Sequence, residues 1–247
     1  MPFRTDDDQP LEELLLAQRP ATGYRFELRA PVVYVDPVAG HRYRAPARDE
    51  ASGSHGFTDL ASVPTPLWGF IASYGRQSAP AVLHDEQSLR ADELGDRRAA
   101  LAARREDDRV FRTALREQGV PRLRALLMWA WVSADRERTF AGAAGWLLLA
   151  QVALGVVALV AAVVFAVVPS WWLALALLVA PALAALWWRG LARLVIVLTY
   201  SLAAFGPLFV VSLAAIGVFR VVEGVVELVA GGDPRDVVRP TLRPDHG

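Results

Sequence analysis

The sequence contains no cysteine. That excludes disulfides, thiolate zinc sites and thiol nucleophiles. Lysine is absent too, so all 26 basic residues are arginine; with the abundance of Ala, Val and Leu, this reads as the coding bias of a GC-rich genome. Neither sign of charge is in excess, since 26 acidic residues balance the arginines. A balanced chain gives no reason to expect a nucleic-acid partner. The first ten residues carry Asp6, Asp7 and Asp8 and lack an apolar run, the opposite of a signal peptide. Charge itself is nearly missing from one long block: between Trp146 and Phe219 only Arg189 and Arg193 are charged.

Hydrophobic residues make up 54% of the 247 residues, and the excess lies in that block. A soluble domain would be nearer ~45–50% apolar, so the block reads as membrane-spanning. Its interruptions divide it into three expected spans, 146–168, 171–188 and 194–219, the third bent at Gly206-Pro207. Trp146, the pair Trp171 and Trp172, and the pair Trp187 and Trp188 mark interfacial belts, with Arg189 and Arg193 in the turn between the second and third spans. The 169–170 turn is uncharged, so the positive-inside rule places 189–193 and the N-terminal domain in the cytoplasm. Three full spans put the C-terminal tail outside; a re-entrant pair broken at Pro207 brings it back inside. Residues 220–232 are expected to form an amphipathic helix with Glu223 and Glu227 on one face, and 233–247 a disordered tail.

Residues 1–22 read as a flexible N-terminus with a short helix over Leu11–Gln18, and 23–140 as a soluble domain. Tyr24, Phe26 and Leu28 alternate with Arg25, Glu27 and Arg29, the period of a half-buried strand within Tyr24–Asp36. Pro37–Gly40 is a turn and His41–Ala45 a returning strand. Helices are expected over Ser78–Leu89, over Asp92–Gly119 with Gly119 and Pro121 as its stop, and over Arg122–Val132. The fold class is therefore α+β, a small N-terminal sheet with helices, followed by an all-α transmembrane region of three helices.

Four histidines are present, and one stands in His84-Asp85 behind the apolar Ala81-Val82-Leu83. Both side chains could reach one divalent metal flanking the helix, with Asp59 or Asp108 as third ligand. Asp108 shares a helical face with Phe111 and Leu115, so its carboxylate points inward. A buried charge is costly, and an Arg, a His, backbone amides or a metal must offset it. The plainer readings are that Asp59 caps a turn or helix, that Asp108 pairs with an arginine, that Arg104–Arg109 is a solvated face, and that Trp129 and Trp131 are core or membrane-proximal residues.

Gly56-Phe57-Thr58-Asp59-Leu60-Ala61-Ser62-Val63-Pro64, then His84-Asp85, then Asp108-Arg109-Val110-Phe111 with Ala114-Leu115 and Gly119, together resemble a phage- and prophage-associated family, domain of unknown function 1353. Its pattern reads GFxTDLASxP, HD, ADxxF, AL and Gly, and the resemblance covers about residues 24 to 135. A Tyr found a few residues after HD in the family is not evident here, the Ala of the third block is Asp107, and about twenty residues (Glu86–Arg105) separate the second and third blocks. The resemblance implies company with phage particles, tail modules or lysis. Its Asp, His-Asp and Asp constellation suits metal-assisted hydrolysis.

Two functions remain open. One is a membrane adaptor whose cytoplasmic domain docks a protein partner, such as a phage-tail-like contractile particle, at the inner face of the bacterial cytoplasmic membrane. The other is a membrane-tethered hydrolase using His84, Asp85, Asp59 and Asp108, with His84, Asp85 and Asp108 around a divalent metal. The missing Tyr and the insertion favour the adaptor. A lipid bilayer is a partner in both, and homo-oligomers are compatible with either. A channel is disfavoured, because the spans carry no intramembrane acid or base.

Overall fold

A computed structural model describes residues 2–19, 25–60, 72, 74–167 and 171–233. Tyr24, Ala61–Pro64 of the motif, the Pro169-Ser170 turn and the tail beyond Asp233 lie outside the described residues. These residues divide into two compact units, Met1–Glu86 with Pro207–Gly247, and Gln87–Gly206.

The first unit holds two small antiparallel sheets. One has the order β1 (Phe3–Arg4), β4 (Val32–Val35), β5 (Arg42–Ala45); the other has β2 (Leu16–Gln18), β3 (Phe26–Leu28), β6 (Phe57–Thr58). The strand expected over Tyr24–Asp36 is broken into β3 and β4, which lie in different sheets; β4, with Val32, Val33 and Tyr34 all buried, pairs with β5 across the expected Pro37–Gly40 turn, Tyr34 opposite Tyr43. Asp36 fixes that turn by accepting from the amides of Val38 and Ala39, while Gly40 takes φ +71°. Phe3 stacks on Tyr34 with ring centroids 5.0 Å apart, and both are fully buried. The Leu11–Gln18 helix does not form. Leu16–Gln18 is instead a strand, in register with Phe26–Leu28. Cross-strand pairing outweighs the helix propensity of a segment too short to sustain a helix alone.

The first helix, α1 (Ser78–Asp92), runs from the first unit into the second. Helix α2 (Arg97–Glu117) starts at Asp96, whose carboxylate accepts from the amides of Arg98 and Ala99. It stops where Gly119 takes φ +75° and Val120 N–H reaches Leu115 O at 2.9 Å, with Pro121 following. Helix α3 (Arg122–Phe140) continues eight residues past Val132 and is joined to α4 (Ala143–Ala166) through Ala141 and Gly142 alone.

Among the described residues, two helical stretches are long and apolar enough to cross a membrane, α4 and the run Trp171–Ala230. The expected three are thus two. The run comprises α5 (Trp171–Ala185), a 3-10 segment (Leu186–Leu191) with Arg189 at φ 49°, and α6 (Ala192–Ala230). At ~1.5 Å per residue α5 is only about 22 Å long, short of the ~30 Å hydrocarbon core, whereas α4 reaches about 36 Å. Pro207 lies inside α6, which stays helical through Ala230 and takes in residues expected to form a separate amphipathic helix.

The second unit is packed through small residues. A Cβ on Gly155 of α4 would lie 2.6 Å from Thr199 Cγ2 of α6 and 3.2 Å from Pro181 Cβ of α5, so only glycine lets the three helices meet there. Gly145 of α4 likewise faces the backbone carbonyl of Glu137, leaving no room for a Cβ. Ala130 of α3 shares one buried cluster with Leu148 and Val152 of α4, Ala185, and Leu194, Val195 and Leu198 of α6.

Candidate functional site

The motif residues of the first unit converge on Thr58. Gly56 is required twice over: it has φ +72°, and a Cβ there would lie 2.8 Å from Arg48 Cα. The strand that follows buries Thr58, whose hydroxyl donates to Asp85 Oδ2 at 2.6 Å and accepts from Leu60 N–H at 2.9 Å. Leu60 sits at φ 62°. Phe57 lies under the Arg48 guanidinium, 4.6 Å from its carbon to the ring centroid. The hydroxyl therefore ties the strand end to α1 and holds the turn in its left-handed conformation.

On α1, His84 is buried and Asp85 half-buried, while Asp59 is exposed in the turn after β6. His55 Nδ1 stands 3.0 Å from Glu86 Oε1, and Glu86 is buried. A carboxylate at Nδ1 fixes the orientation of the ring. The sequence reading passed over Thr58, His55 and Glu86. Thr58 stood inside the motif, but its partner is 27 residues away and on another element. Nothing local marked His55.

Asp108 belongs to the second unit, where its environment is clear. It is 0% exposed, accepts from Ser133 Oγ at 3.0 Å and is ion-paired with Arg136. Arg136 also reaches Glu137 Oε1 at 2.8 Å, and Arg105 approaches the same carboxylate at 3.2 Å. The charge that had to be offset is thus offset by an arginine. Its neighbour Asp107 is buried as well, and its Oδ2 has no hydrogen-bond partner; Arg104 Nε is in the same condition. Burial pushes the Asp107 carboxyl up to about 7, with Arg104 opposing and Asp108 and Glu106 adding to the rise. Among the described residues, no three His, Asp or Glu side chains are grouped so as to hold a metal ion.

The expected membrane anchors divide. Trp146, Trp171, Trp172 and Trp187 are exposed on the apolar helices. Trp188 is half-buried, its Nε1 donating to Gln151 Oε1 at 2.7 Å. Arg193 lies over the Trp129 ring at 5.9 Å, and Arg112 lies over the same ring at 5.4 Å. Burial lowers the Arg112 pKa, and Arg193 adds to the effect. Trp129 is thereby both a packing residue and a seat for two cations.

Residues 36–132 match the model of a family described as a protein of unknown function, DUF1353. The match spans β5, β6, α1, α2 and the first part of α3, and takes in Asp59, His84, Asp85 and Asp108. It supports a domain of that family in this stretch, in line with the motif resemblance. No curated protein and no solved structure matches the chain.

Proposed function

We propose that the chain is a membrane-anchored adaptor, in which a domain of this phage-associated family is held at the inner face of the bacterial cytoplasmic membrane and docks a protein partner, a phage-tail-like particle. The observation that carries this reading is α3. It begins within the matched stretch, places Ala130 in the same buried cluster as the apolar helices, and enters α4 after two residues. Packing of α3 against the apolar helices ties the end of the matched stretch to the anchor. The engagement of Asp108 by Arg136, and of Asp85 by Thr58, supports a structural role for these motif acids. Arg136 and Arg138 before α4 favour a cytoplasmic domain.

A metal-dependent hydrolase is the second reading, favoured by the His55–Glu86 pair beside His84-Asp85. Capture of the full chain from membranes in mild detergent separates the two. Particle components recovered equally by wild type and His84→Ala support docking. Recovery of none, with stoichiometric divalent metal that His84→Ala loses, overturns docking in favour of hydrolysis.

A further inference from the structure

We propose that the second unit carries a binding site for the phosphate-bearing headgroup of an anionic membrane phospholipid, in a cavity of about 820 Å³ where α2, α3, α4 and the 3-10 segment meet. The inference rests on the membrane reading above.

Three arginines line the cavity: Arg97, Arg98 and Arg105. Arg97 donates from Nε to Phe140 O at 2.7 Å and from Nη2 to Thr139 O at 3.0 Å, satisfying the last carbonyls of α3. Those acceptors are neutral, so its charge is positioned but not cancelled. The Arg98 guanidinium has no acidic partner among the described residues. Arg105 shares Glu137 with Arg136, which is itself ion-paired with Asp108. Asp96 also lines the wall, yet both its oxygens are occupied by backbone amides of α2. Three arginines against Asp96 and Glu137 leave one positive charge in excess at the cavity, and Arg98 is the guanidinium placed to serve an anion. Arginine forks match phosphate oxygens in pairs.

The rest of the lining is largely apolar: Leu101, between Arg97 and Arg105 on α2, with Phe140, Leu191 and Trp188, the last held by its bond to Gln151. Ala144 of α4 is part of the lining, so the cavity opens where the first membrane-length helix begins. A tryptophan and arginines at that level are what an interfacial lipid meets: charge for the headgroup and apolar surface for the glycerol and first methylenes. Gly142 takes φ +60°, a conformation that favours glycine at the α3–α4 junction. Inorganic phosphate shares the headgroup's chemistry but would leave the apolar lining unused, so the phospholipid is the occupant assigned.

The test is native mass spectrometry of the full chain in detergent with added phosphatidylglycerol or phosphatidylcholine. One phosphatidylglycerol is expected to be retained in preference to phosphatidylcholine, undisturbed by inorganic phosphate at equal concentration. Arg98→Gln is expected to weaken retention about fivefold, the ~1 kcal/mol that a surface arginine contributes toward an anionic lipid. The distant control Arg122→Gln leaves retention unchanged. Arg97→Gln also removes two bonds to α3, so Arg98→Gln is the deciding variant. Equal retention of both lipids, indifference to Arg98→Gln, or displacement by inorganic phosphate overturns the site. Release of the chain from membranes by alkaline carbonate would instead overturn the membrane reading, independently of any lipid preference.

Discussion

Arg136 of α3 is ion-paired with Asp108 of α2, twenty-eight residues earlier, and both side chains are buried. The pair locks the last helix of the family-matched stretch to the one before it. Removing only one partner leaves a charge stranded in the interior. Arg136→Ala is expected to cost ~3–5 kcal/mol, whereas replacing the buried cluster with apolar residues of similar volume, Asp108→Leu with Arg136→Met and Glu137→Leu, is expected to cost far less. Thermal melts of the single and triple variants check this. Equal losses in both would contradict a purely structural pair.

The neighbouring Asp107 gives the chain a pH-dependent stability. Its folded pKa, about 7, is raised above the ordinary 3.8. The folded state therefore binds the proton more tightly. That stabilisation is complete below the unfolded pKa and is lost as pH rises through about 7. Asp107→Asn should match wild type in acid and exceed it at about pH 8, by at most ~4 kcal/mol. Melting temperatures that fall in parallel for the two chains between about pH 5 and about pH 8 would refute the assignment.

Gly155 and Thr199 set the crossing of α4 and α6. Gly155→Ala places a methyl against Thr199 Cγ2 and is expected to destabilise by ~1–3 kcal/mol. Adding Thr199→Ser removes the opposing methyl and should restore most of the loss. A denaturation series on the two single variants and the double reads this directly; no rescue would mean that Pro181 of α5, and not the Thr199 methyl, sets the approach.

Thr58 offers a test of the motif. Thr58→Val deletes the hydroxyl from both Asp85 and the Leu60 amide while keeping the shape, at an expected cost of ~1–3 kcal/mol. Thr58→Ser should retain most of the stability. If Thr58→Val melts like wild type, the motif threonine is not holding the turn.

Much of this was legible in sequence because it is local. The β4–β5 turn followed from Pro37–Gly40, the end of α2 from Gly119 and Pro121, and the burial of Asp108 from its spacing to Phe111 and Leu115, whereas the single strand expected over Tyr24–Asp36 divides between two sheets. The partners were not legible, because Arg136, Ser133, Asp85 and Glu86 reach theirs across 25 or more residues. Leu16–Gln18 was read as helix because its strand exists only through pairing with Phe26–Leu28. The three-span reading took Arg189 and Arg193 as a loop between equal spans, whereas the chain makes a short α5, a 3-10 segment and a long α6.

The absence of cysteine makes the placement of the domain directly measurable, because a single introduced thiol is the only one in the chain. Ala39, exposed in the β4–β5 turn, is a suitable position. Full-length Ala39→Cys, expressed in bacterial cells and challenged with a membrane-impermeant maleimide, should remain unlabelled in intact spheroplasts and become labelled once the membrane is opened, with the chain recovered in the membrane fraction. Labelling of intact spheroplasts, or recovery of the chain in the soluble fraction, would contradict a domain held at the inner face of the membrane.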